Sequence, residues 1–280
     1  MKLPKANIFT LLVSLAVLMG GAGWAWHESQ KICCAFPDEP GPDQQEAIPF
    51  ERPTLGLMTS LPLYWPLGAD IADLVGGGEV PWQRSALARS HELVLLDTLS
   101  PIAGLTPDTA ETDPLAEIEY LAIIQPRGLS PSDNVALDAW VRAGGRLLLV
   151  LDPQLTGEYE LPLGDPRRPN DIALNYPVLA RWGLRGDFSG EQTEIRYAEL
   201  PSTAIPVLMA QEIEIDEASR SGQNCSTDPT RLIAQCLAIG EGAVTLLGDA
   251  AIFEHPEFAG PNGEAVTALI DFAFAQQGAG

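Results

Sequence analysis

The chain has 280 residues, enough for one large domain or two small ones with a real hydrophobic core. Hydrophobic residues make up 46% and charged residues 19%, which excludes a disordered chain. With 38 acidic against 16 basic residues the formal net charge is −22, a body that repels phosphate backbones and anionic lipid, so the composition argues against nucleic-acid binding.

The lysines are confined to Lys2, Lys5 and Lys31. Between the second and third lies Ile8–Trp26, IFTLLVSLAVLMGGAGWAW, without a charge. Its 19 residues as a helix span about 28 Å, close to the ~30 Å hydrocarbon core of a bilayer. Lysines on the short N-terminal side keep residues 1–7 in the cytoplasm and put residue 27 onward outside. Trp24 and Trp26 fall where an interfacial aromatic belt lies. The same segment also suits a cleaved signal peptide, with Gly23-Trp24-Ala25 as the cleavage site. Both readings place the bulk of the chain outside the inner membrane. Residues 27–50 are polar, acidic and Pro-rich without periodicity, and read as a stalk.

From residue 51 a globular pattern is expected. Thr54 to Met58, Leu93 to Leu96, Tyr120 to Ile124 and Leu147 to Leu151 are short apolar runs and read as strands. Asp70 to Val75 reads as a short helix before Gly76-Gly77-Gly78. Ser132 to Val141 has helical periodicity with Asp133 early, and Gly144-Gly145 stops it. Strands apolar along their whole length, alternating with a helix, predict a parallel sheet covered on both faces. Residues 153 to 170 read as an excursion loop, and Asp171 to Trp182 as a further helix. Residues 192 to 216 alternate and contain prolines, consistent with edge strands or a hairpin. Leu232 to Ile239 and Ala243 to Leu247 read as antiparallel strands, and Glu264 to Ala275 as the closing helix.

Four cysteines fit an oxidising compartment. Cys225 and Cys236 are a candidate disulfide, and the adjacent Cys33 and Cys34 have no assigned partner. No C-x-x-C occurs, so zinc, haem attachment and thioredoxin-like chemistry lack their spacing.

Three aspartates stand just after predicted strands: Asp97, Asp152 and Asp249. Ligands of open α/β sheets bind beyond the carboxyl ends of strands, so these carboxylates are placed either to hold a metal or move protons, or to cap their own turns. No G-x-S-x-G nucleophile elbow, Walker P-loop or G-x-G-x-x-G is present, and no cofactor is expected. After the strand ending at Ile124 stands Gln125-Pro126-Arg127-Gly128, with no Ser or Cys at the turn. Of the histidines, only His255 lies near a strand's carboxyl end. Tyr64 and Trp65 follow the first strand, where aromatics either form a recognition surface or pack under a loop.

Leu121 to Pro131, Leu137 to Pro153 and Gly240 to Phe253 resemble the auxiliary domain of ABC-type transport systems, a group that includes gliding-motility-associated proteins. The shared pattern is strand, Pro, helix, Gly-Gly-Arg, strand, Asp-Pro, then Gly-x-Gly-x-Val through Asp-x-x-Phe. The resemblance extends roughly from Leu55 to Phe274. It implies a three-layer α/β sandwich, flavodoxin-like or class I glutamine amidotransferase-like, with a mainly parallel sheet, an antiparallel edge and no catalytic cysteine. It also implies a membrane-anchored periplasmic domain (residues 51–280) that works with an ABC permease or other inner-membrane protein. The expected function is therefore a non-catalytic accessory, with Tyr64, Trp65, Gln125, Arg127, Asp152 and Asp249 as candidate ligand or partner contacts. The alternative is a periplasmic metal-dependent hydrolase built on the aspartates.

Overall fold

The computed structural model describes residues 52–69, 76–104, 106, 108–173, 176–190, 194–216 and 224–275. The expected anchor at 8–26, the stalk, Cys33, Cys34 and the short helix at 70–75 lie outside them. Among the described residues no helix is long and apolar enough to cross a membrane.

The apolar runs form strands. β1 (Thr54–Thr59), β2 (Glu92–Leu95), β3 (Tyr120–Ile124) and β4 (Arg146–Val150) precede β9 (Cys225–Thr227), β10 (Ile233–Ile239) and β11 (Gly242–Leu247) in one sheet. Its order is β2-β1-β3-β4-β11-β10-β9. The first five run parallel, while β10 and β9 are antiparallel to their neighbours. The fold is thus mixed α/β with a mainly parallel sheet and an antiparallel edge. Two small ribbons stand apart: β5 (Leu184–Asp187) with β8 (Glu212–Ile215), and β6 (Arg196–Glu199) with β7 (Ala204–Val207). At the antiparallel edge Cys225 and Cys236 face each other across β9 and β10 and form a disulfide.

Alternate strand residues feed two cores, as the two-residue period of a strand requires. Leu55, Leu57, Ala122, Ile124, Leu148 and Val150 pack on one face. That face is covered by α1 (Trp82–Leu87), α4 (Ala251–Glu254), α5 (Pro256–Ala259) and α6 (Glu264–Phe274). Met58, Leu121, Ile123, Leu147 and Leu149 pack on the other, under α2 (Pro131–Arg142) and α3 (Pro177–Arg181).

The start of α2 is fixed by a capping box between Ser130 and Asp133, with Pro131 at the first turn. Asp133 does more than cap. Its Oδ1 accepts bonds from the Thr98 hydroxyl and the Leu99 and Ser100 amides, so the loop after β2 is tied to the helix. Burial alone would raise its pKa, but bonds from Ser130, Leu99, Thr98 and Ser100 outweigh it and hold the carboxyl well below the usual range.

Two expectations are corrected. The helix expected at Asp171 to Trp182 is only α3, because Pro177 takes its first turn and Tyr176 before it is extended. β2 is not covered on both faces: it is the sheet's edge, and Glu92, Val94 and Leu95 are exposed.

Candidate functional site

Strand order reverses between β1 and β3: from β1 the chain moves outward to β2, then crosses back to β3. The crevice beyond the carboxyl ends of these two strands is where open α/β sheets bind ligands. Ser60 leaves β1 there, and Gln125 leaves β3.

Gln125 has a φ of 45°, a strained left-handed conformation for a residue with a side chain. It is the turn where a nucleophile elbow would present its reactive atom. The Gln125 side chain instead is fully buried and spent on backbone. Its Nε2 donates to the carbonyls of Asp152 (3.1 Å) and Asn170 (2.8 Å), and its Oε1 accepts the Asp152 amide at 2.8 Å. The Ser60 hydroxyl donates to the Gln125 carbonyl at 2.6 Å and accepts the Asn170 amide at 2.9 Å. Four residues thereby bind the ends of β1, β3 and β4 to the 153–170 loop, which forms no regular element. Arg127 is exposed and adds one more tie, donating to the Arg168 carbonyl.

Asp152 and Asp249 are also buried. Asp152 accepts the amides of Ala250 (2.9 Å) and Gln154 (2.7 Å). Asp249 accepts those of Ala251 (2.7 Å) and Leu208 (2.9 Å). Both carboxylates thus cap loops, the second of the two roles open to them. Burial pushes the Asp152 pKa up to about 7, with the Glu254 charge adding to the rise. Burial and the Asp152 charge raise Asp249 well above the usual range. Asp97 does not join them: it is exposed at the end of β2, three strand spacings or about 14 Å from β4. Among the described residues no three His, Cys, Asp or Glu side chains are grouped to hold a metal ion.

Glu254 holds the excursion loop down. It accepts the amides of Thr156 and Gly157, each at 3.0 Å, and the Tyr159 hydroxyl at 2.7 Å. Burial and then the Glu254 charge keep that phenol protonated. His255 shares a 2.9 Å hydrogen bond with the Thr156 hydroxyl and packs on Phe258.

Tyr64 and Trp65 are presented differently. Their rings meet edge to face at 5.0 Å, and the Arg84 guanidinium lies 4.0 Å from the Tyr64 centroid and 5.0 Å from that of Trp65. Trp65 is 41% exposed. It walls two depressions: one of about 510 Å³ towards Glu79, Val80 and Arg84, the other of about 280 Å³ towards Ser60, Pro62 and Arg167. Of the six candidates, then, Tyr64 and Trp65 belong to an accessible surface, Arg127 stands beside the loop, and Gln125, Asp152 and Asp249 are buried and bonded to backbone. Sequence reasoning missed Arg84, whose role depends on α1 crossing the Tyr64-Trp65 loop. It also missed Ser60, Asn170 and Glu254, whose partners are distant in the chain.

No protein-family profile matches the chain, and no curated protein matches it. Among solved structures it is similar to the exo-β-1,4-mannosidase Op5Man5 from Opitutaceae bacterium strain TAV5, at 16% identity and a TM-score of 0.44 over 80% of this chain and 36% of that one. It is similar to a β-galactosidase from Rahnella sp. R3, at 10% identity and a TM-score of 0.43 over 79% of this chain and 31% of that one. A ThuA-like protein from Bacteroides uniformis ATCC 8492 aligns at 9% identity and a TM-score of 0.38 over 80% of this chain and 91% of that one. The chain spans about a third of the length of the two glycosidases. With every one of these TM-scores below 0.5, the likenesses carry no argument about chemistry.

Proposed function

We propose that this chain is a non-catalytic binding domain, held outside the inner membrane by the Ile8–Trp26 segment, that serves an ABC-type transport system as an accessory. The finer fold reading belongs to the proposal: a flavodoxin-like or class I glutamine amidotransferase-like sandwich that has lost its nucleophile. The order β2-β1-β3-β4-β11 supports it.

The observation that carries the non-catalytic reading is Gln125. At the strained turn where such a fold would present a nucleophile, the side chain is buried and all its bonds go to backbone. An exposed Trp65, packed with the half-buried Tyr64 and Arg84, gives a surface suited to anchoring a partner protein. The hydrolase alternative needs carboxylates turned towards a shared cavity, whereas Asp152 and Asp249 are turned into backbone amides.

The test is affinity purification of the full chain from detergent-solubilised membranes. The proposal expects a permease or another inner-membrane protein to co-purify. Recovery with no membrane partner would count against it.

A further inference from the structure

The crossovers of a parallel sheet are where its covering helices come from. β1 to β2 carries α1, and β3 to β4 carries α2. The β2 to β3 connection, residues 96–119, is different. Among its described residues there is no helix, only an isolated bridge between Ile102 and Thr112. It sends Leu96, Leu99, Leu115 and Ile118 into the core beneath α2 and leaves the rest of that layer unfilled.

The result is a groove of about 1070 Å³ along α2 and the turn after it, lined from Pro131 to Gly145. Its floor is apolar. Val135, Ala136, Ala139 and Trp140 line one wall, and Leu115 and Ile118 the other. Val135 is 69% exposed, an apolar residue on a helix with nothing over it. Trp140 lies flat against Gly145, where a Cβ would sit 2.4 Å from the ring, so the end of the groove is shaped by that glycine. A helix about 10 Å across would fit roughly nine residues in this volume, about two and a half turns.

The rim has one sign. From Ser90 to Pro126 the chain contains seven acidic residues and no Lys or Arg. Asp113 and Glu119 line the groove itself, and Glu111 and Glu117 are exposed beside it. Carboxylates at the edge of an apolar groove attract cations there and apolar side chains at the centre.

We infer that this groove docks a cationic amphipathic helix from a partner protein, which completes the helical layer that the β2 to β3 connection leaves open. The groove is distinct from the Trp65 surface, and the inference stands whether or not that surface binds a transporter.

The experiment uses the full chain in zwitterionic phosphatidylcholine nanodiscs, with empty discs as the blank. The probe is a labelled 18-residue helical peptide of Leu, Ala and Lys, compared with its Lys→Glu counterpart by anisotropy at ~0.15 M salt. The cationic peptide is expected to bind at least ~10-fold more tightly than the acidic one. Val135→Arg with Ala139→Arg, both at exposed positions, is expected to weaken it ~10-fold or more without changing the melting temperature. Asp113→Asn with Glu119→Gln should weaken it and flatten its salt dependence. Glu158→Gln with Glu160→Gln, on the distant excursion loop, should leave it unchanged. Equal binding by the groove variants, equal loss in the Glu158/Glu160 variant, or no binding at all would overturn the inference. The first two would mean diffuse attraction to an acidic body.

Discussion

Asp152 and Asp249 accept the amides of consecutive residues, Ala250 and Ala251, so two buried carboxylates converge on adjacent peptide groups. Two negative charges cannot share such a site without water, and the pair retains protons that it would lose in solution.

This sets a pH dependence. With its pKa raised from 3.8 to about 7, Asp152 binds a proton in the folded state that the unfolded chain has released. Its stability contribution is full below the unfolded value and is lost as pH rises through about 7. Asp133, held low, works in the opposite sense, its contribution falling away in acid. Melting temperature should therefore be greatest near pH 4 and decline as pH rises from about 4 to about 7. Asp249→Asn should flatten that decline. It should also cost about 1–3 kcal/mol at pH 5, because the NH₂ that replaces one carboxyl oxygen accepts no hydrogen bond, so either the Ala251 or the Leu208 amide loses its partner. A wild-type melting temperature that rises from pH 4 to pH 7 would contradict a buried Asp152 carboxyl that keeps its proton.

Gln125 should be structural. Gln125→Ala strands the Asp152 amide and the Asn170 carbonyl, leaves the Asp152 carbonyl only the Ala173 amide, and keeps the left-handed φ. A loss of about 2–4 kcal/mol in urea unfolding is expected. A change below about 0.5 kcal/mol would show that the clamp is unimportant.

The Cys225–Cys236 bond joins residues 11 apart in sequence. Loop-closure entropy for that length corresponds to about 2–3 kcal/mol. Reduction, or Cys225→Ser with Cys236→Ser, should lower stability by that amount in equilibrium unfolding, with β9 the first segment to lose amide protection in hydrogen exchange.

How much of this was legible depends on distance in the chain. β1, β3, β4, β10 and β11 are mostly apolar, interrupted by residues such as Gln235 and Thr245, and could be read directly. β2 has the same composition, yet it is half uncovered, because an apolar run does not say whether its strand is central or an edge. β5, β8 and β9 are three or four residues long, too short for a period to show. At the site, position beyond strand ends picked out Asp152 and Asp249. Their orientation was not readable, since it depends on amides at Ala250, Ala251 and Leu208. Arg84 carries no local signal. It matters because α1 lays it over Tyr64.

The central claim is that the chain works by binding, through the Tyr64–Trp65–Arg84 surface. Its most direct test is quantitative capture of inner-membrane proteins by full-length wild type and by Trp65→Ala with Arg84→Ala. Loss of a Trp or Arg anchor at an interface costs about 2 kcal/mol or more, roughly 30-fold. The account predicts that an ABC-transporter subunit is recovered with wild type and falls by at least ~10-fold with the variant at an unchanged melting temperature. Equal recovery by both proteins, or recovery of no such subunit by wild type, would contradict it.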